Sequence, residues 1–296
     1  MMNYAASIVL TCLMFGMGLS LKLTDFTRVF KLPKAACIGL IGQLILLPLL
    51  GFALCLALNL KGVVAVGIML LTLCPGGVLS NLFTLIARGD LALSVTMTSI
   101  SSLITVFTLP FVLNLSLIFF DNSSVQLSLP FLKTAFQIML ITVIPVSLGM
   151  IVFKKAPSFA EHSRKWVRLG CNLFLPVVIL GILLQNDGAW FQDFLTLGAL
   201  TVTLNLLTIL LGYSLAKLAR LETKKVRTLS IEVGAQNAML GVTIAISPFL
   251  LNNAQVALIP SIYGITMVLI LWAYTSLIAR FDGKKLALAE TNESKR

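Results

Sequence analysis

The chain has 296 residues, 58% of them hydrophobic and 11% charged, with a mean hydropathy of +1.01 and a formal net charge of +11. That hydrophobicity excludes a soluble globular protein, and no polar stretch is long enough for a separate catalytic or nucleic-acid-binding domain. The fold class to expect is an all-α polytopic membrane protein.

Apolar runs of the length a helix needs to cross a bilayer fall at 3–21, 35–58, 62–87, 91–118, 128–153, 168–185, 194–218, 228–250 and 256–279, nine spans in all. The first lacks a basic n-region and carries its positive charges after the apolar stretch, so it reads as a retained span, not a signal peptide. Pro48, Pro110, Pro145 and Pro176 read as kinks within spans. Two spans are interrupted. In LCPGGVLSN (73–81), Pro75 lacks an N–H and Gly76-Gly77 weakens the helix further. In EVGAQN (232–237), Gly234 stands among polar side chains. The broken helices cover about 62–87 and 228–250, and five steps along the order of spans separate them, so they run through the membrane in opposite directions, as an inverted repeat requires. Residues 1–285 form one transmembrane domain, and 286–296 a charged tail expected to fray.

The basic residues mark topology, not nucleic acid. Twenty of them, from Lys22 and Arg28 through Arg88, Lys154, Arg164 and Lys224 to the C-terminal tail, sit on one side of a nine-span chain, against Lys61 and Lys133 on the other. The positive-inside rule then places the N-terminus outside and the C-terminus in the cytoplasm, and the membrane expected is the inner cell membrane. The five cysteines fall in apolar segments without metal or disulfide spacing, and His162 has no second His or Cys near it.

Each break presents free N–H groups from one half-helix and free C=O groups from the other at membrane depth, which attract anions and small cations respectively. Glu232 is the one acidic residue within an apolar segment, and with Arg227 five residues back, about 7.5 Å along a helix, it alone could snorkel to the cytoplasmic interface. Gln236 and Asn237 lie a further turn inward, out of reach of that explanation. Ser80 and Asn81 follow the first break, Ser94 and Thr98 share a helical face, and Gln43 precedes Pro48. These oxygens suit a hard cation or a proton carried by Glu232, while an isolated Ser or Thr could instead bond back to its own helix. No Walker loop, GxSxG or HExxH is present, so an enzyme is not expected.

The combination of CPGGVLSNLFTLIARGDLALSVTMTSISSL (74–103) with IEVGAQNAML (231–240) resembles the bile acid:sodium symporter family and its bacterial relatives, from MFGMGLSLKLTDFTRVFKLPKA (14–35) to the last helix. The resemblance implies a panel domain and a core domain built from inverted repeats, with the two broken helices crossing at the midplane. It implies one sodium ion among Ser80, Asn81, Ser94, Thr98 and Glu232, and a second on Glu232, the carbonyls of Val233 and Ala235, Gln236 and Gln43. Gly234 becomes the hinge that frees those carbonyls. The anion would lie near Asn237, beside Val78 and Leu79, where relatives often read GGTASN and this chain reads GGVLSN. The function so implied is a secondary transporter importing a small organic anion with two sodium ions by alternating access, with the lipid bilayer around it, no other cofactor and no nucleic acid. Proton coupling through Glu232 and a solute receptor that does not translocate are the alternatives.

Overall fold

A computed structural model describes residues 8, 11–12, 14–16, 18–19, 33–120, 131–163, 166, 190–248 and 250–293. The described elements are α1 (Pro33–Ala57), α2 (Gly62–Leu73), α3 (Val78–Ile86), α4 (Leu91–Phe120), α5 (Phe131–Lys155), α6 (Trp190–Leu218), α7 (Thr223–Gly234), α8 (Ala238–Ile246) and α9 (Leu258–Glu293). Of the expected spans, the one at 168–185 lies outside the described residues, as do the kink at Pro176 and most of the span at 3–21. The other seven coincide with these helices. Pro33–Ala57, Leu91–Phe120, Phe194–Leu218 and Ala254–Arg280 are each long and apolar enough to cross a membrane. The tail expected to fray is largely a continuation of α9, which runs to Glu293.

Both interrupted spans are helix pairs. Pro75 and the glycines end α2 at Leu73 and α3 starts at Val78, while α7 ends at Gly234 and α8 starts at Ala238. The halves are 12 and 9 residues long in both pairs; a shift of 161 residues carries α2 onto α7 and one of 160 carries α3 onto α8. Where the breaks meet, Gly76 and Gln236 form an isolated antiparallel bridge and Asn237 N donates to Pro75 O at 2.9 Å. The two segments therefore cross in opposite directions, each supplying the backbone partner that the other's unwound turn lacks.

The crossing lies at the centre. Every residue of α8 and every residue of α2 from Ala65 onward is buried, and α2 packs between α1, α4 and α9. Large apolar side chains such as Leu49, Phe107, Phe111, Ile118, Leu210, Leu269 and Trp272 are exposed, while Gln43, Ser94, Thr98, Glu232 and Gln236 are buried. A polar interior under an apolar surface is the arrangement lipid demands. Pro48 does not simply kink α1: a π turn, Gly42–Leu46, precedes it, with Leu47 N reaching back to Gly42 O. That widened turn carries Gln43 into the interior.

Candidate ion and substrate site

Glu232 is 1% exposed, on the last buried turn of α7, and its carboxylate faces α4. Ser94 Oγ donates to Oε1, and Thr98 Oγ1 donates to Oε2 at 2.9 Å. The snorkelling alternative fails, since the carboxylate turns inward to hydroxyls and Arg227 Nη1 donates to Ala87 O at 3.0 Å. Ser94 and Thr98 share a face of α4 as their spacing requires, and neither bonds back to its own helix. Their neighbours do: Thr96 donates to Ala92 O, Ser99 to Val95 O and Ser102 to Thr98 O.

The second half-helix of the first break completes this cluster. Asn81 Oδ1 accepts from Ser94 Oγ at 2.8 Å, and Ser80 Oγ lies 3.4 Å from Thr98 Oγ1 while donating to Gly77 O at 2.6 Å. Ser94 has a single hydroxyl hydrogen to offer both Asn81 Oδ1 and Glu232 Oε1. Three oxygens thus converge on one hydrogen next to a carboxylate, so the cluster is short of positive charge. A hard monovalent cation relieves that shortage and suits this all-oxygen donor set. Gly76 makes the room: a Cβ there would stand 2.9 Å from Glu232 Oε2 and 3.4 Å from Thr98 Oγ1.

Gln43 and Gln236 form a second polar group across the crossing. Gln43 Nε2 donates to Gln236 Oε1 at 2.8 Å and to Cys74 O at 3.3 Å, and Gln236 Nε2 donates to Val233 O at 2.8 Å. Gln43 Oε1 is buried with no hydrogen-bond partner among the described residues, which leaves its lone pairs for a cation. Ala235 is buried in the break with an extended backbone, φ −104° and ψ 92°. Gly234 lies just before it. Its own carbonyl is taken by Asn205 Nδ2 and Tyr263 OH, both at 2.8 Å, and it remains the last helical residue. Asn205 and Tyr263 were missed by sequence reasoning, although a lone amide within the apolar run 194–218 was a signal of the same kind as Gln43.

At the substrate end, Asn237 caps α8 by accepting from Leu240 N at 3.1 Å, so its Oδ1 is committed and only its Nδ2 is left to face an anion. Leu79 is 37% exposed in the first turn of α3. The side chain of Val78 lies outside the described residues. His162, assigned no metal, accepts from Trp166 Nε1 at 3.2 Å.

The profile of the Sodium Bile acid symporter family matches residues 7–189. The chain belongs to this family. An uncharacterised sodium-dependent transporter of Bacillus subtilis is 32% identical over 246 residues, 82% of this chain and 74% of its own length. The human ileal sodium/bile acid cotransporter is 30% identical over 295 residues, 98% of this chain and 83% of its own, and a human sodium-dependent organic anion transporter is 28% identical over 94% of this chain and 74% of its own. As a member of a symporter family with apolar helices of spanning length, the protein is an integral membrane protein. The profile ends before α7, so the second break rests on the longer pairwise similarities.

Proposed function

We propose that the protein is a sodium-coupled symporter that imports a small organic anion by alternating access, within one transmembrane domain over 1–285. The observation that carries this reading is the buried Glu232 carboxylate, held by hydroxyls from α4 beside the antiparallel crossing of two broken helices. One sodium ion would sit among Ser80, Asn81, Ser94, Thr98 and Glu232, where oxygens outnumber hydrogens. A second would bind Glu232, the Val233 and Ala235 carbonyls, Gln236 and the open Oε1 of Gln43. The names of the relatives support sodium as the coupling ion.

The anion would lie where α3 and α8 both begin, against the Asn237 amide and next to residues 78 and 79. Among the described residues no Lys, Arg or His is buried, so its charge would be met by the two half-helix ends and the sodium ions. With two sodium ions per monoanion, each cycle moves one net positive charge inward. Nine spans with the N-terminus outside, arranged as a panel and a core, complete the reading; the charge asymmetry and the matched 12- and 9-residue half-helices support it.

The test is uptake of candidate anions into proteoliposomes under a sodium gradient at equal pH on both sides. Uptake should follow the gradient and respond to an imposed membrane potential, and it should be abolished in Glu232→Ala. Transport indifferent to sodium and to that substitution would refute the proposal.

A further inference from the structure

The bonds on the Gly234 carbonyl form a closed ring. Asn205 on α6 donates through Nδ2 both to Gly234 O, at 2.8 Å, and to Tyr263 OH on α9, at 2.7 Å, while Tyr263 OH donates to the same carbonyl at 2.8 Å. Asn205 and Tyr263 are 0% exposed. The shift of 160 residues that carries α3 onto α8 also carries Cys74 onto Gly234, and Cys74 O accepts from Gln43 Nε2. Each first half-helix is thus capped by a side-chain amide from the long helix before it, 31 residues upstream in one case and 29 in the other. The two caps differ in reach. Gln43 goes on to Gln236 across the crossing, whereas Asn205 turns away to α9.

We propose that Asn205 and Tyr263 are positioning residues for the second sodium ion, acting through the Gly234 carbonyl. This rests on the reading of Val233 and Ala235 as carbonyl ligands. A peptide unit is planar, so pinning Gly234 O fixes the whole 234–235 plane, and only the soft dihedrals on either side remain to aim the carbonyls of Val233 and Ala235. The ring directs Gly234 O to α6 and α9, away from the ion; of the flanking carbonyls, Val233 O already accepts from Gln236 Nε2 and offers the ion its second lone pair. The ring touches neither ion itself. It also ties α9 to the break, so movement of α9 is felt at the ligand carbonyls.

The experiment is sodium titration of the purified full chain by thermal stabilisation, at constant pH and with choline keeping ionic strength fixed, for wild type, Tyr263→Phe, Asn205→Leu and Glu232→Gln. Tyr263→Phe keeps the ring packing and loses a hydroxyl that both donates and accepts. Its half-saturating sodium concentration should rise about three- to tenfold, as expected for one or two lost hydrogen bonds. Its melting temperature without sodium should fall by only a few degrees, since the two bonds lost are buried, and saturating sodium should still restore the full sodium-induced shift. Asn205→Leu should raise the midpoint further. If Glu232→Gln abolishes the response while both ring variants titrate like wild type, the ion site stands and the positioning role is refuted. If wild type itself does not respond to sodium, the reading of the ion site fails and this inference falls with it.

Discussion

Replacing Gly76 by alanine puts one methyl group where the geometry is tightest. Its Cβ would stand 2.9 Å from Glu232 Oε2, whereas unbonded carbon and oxygen rest at about 3.4 Å or more, so the carboxylate must retreat by about 0.5 Å. The atom that has to move is the end of a flexible side chain, which makes the change tolerable for the fold. It is costly for the site. Cation ligands have to be placed to within about 0.2 Å, and a hydrogen bond to a charged group contributes about 1.5–3 kcal/mol. Losing one such contact weakens sodium binding about ten- to hundredfold. The assay is the sodium dependence of melting temperature at fixed pH and ionic strength, with the helical circular dichroism signal as the control for folding. A folded Gly76→Ala protein whose sodium midpoint lies within twofold of wild type would refute the assignment of that carboxylate as a ligand.

Glu232→Gln keeps the shape and removes the charge, so it should fold at least as well as wild type, a buried charge being costly, and lose the sodium response at every concentration. A wild-type protein stabilised by falling pH and not by sodium would point instead to proton coupling. On α4, Ser94→Ala should raise the sodium midpoint severalfold, while Ser99→Ala, whose buried hydroxyl serves only Val95 O, should cost about 0.5–1.5 kcal/mol of stability and leave sodium binding alone. Gly212→Ala tests packing: its Cβ would run into the backbone carbonyl of Leu229, which cannot swing aside as a side chain would. The expected cost is about 1–3 kcal/mol, read as a lower melting temperature with an unchanged sodium midpoint.

Bilayer physics made much of this protein legible in its sequence. An unpaired polar group is so expensive in hydrocarbon that Glu232, Gln236, Asn81 and Gln43 stood out against their surroundings, and Pro75 with Gly76-Gly77 announced a broken helix for want of a donor. The spacing of Ser94 and Thr98 placed both hydroxyls on one face. The resemblance of the two motifs to a known family then grouped these residues around sodium before any geometry was in hand.

What the sequence could not decide is which atom of each residue is spent elsewhere. Nothing in SVTMTSISS tells which hydroxyls bond back to α4 and which reach Glu232; the position of α7 across from that face decides it. Asn237 looked free to meet a ligand, yet its Oδ1 caps α8, and no local pattern around Gly234 announces that its own carbonyl is locked by Asn205 and Tyr263. Those partners come from chain positions 29 residues away on either side of Gly234. Local pattern names the groups that must be satisfied, because that cost belongs to each residue alone; which partner satisfies them is a matter of distance, and distance across the chain exists only once the helices have packed.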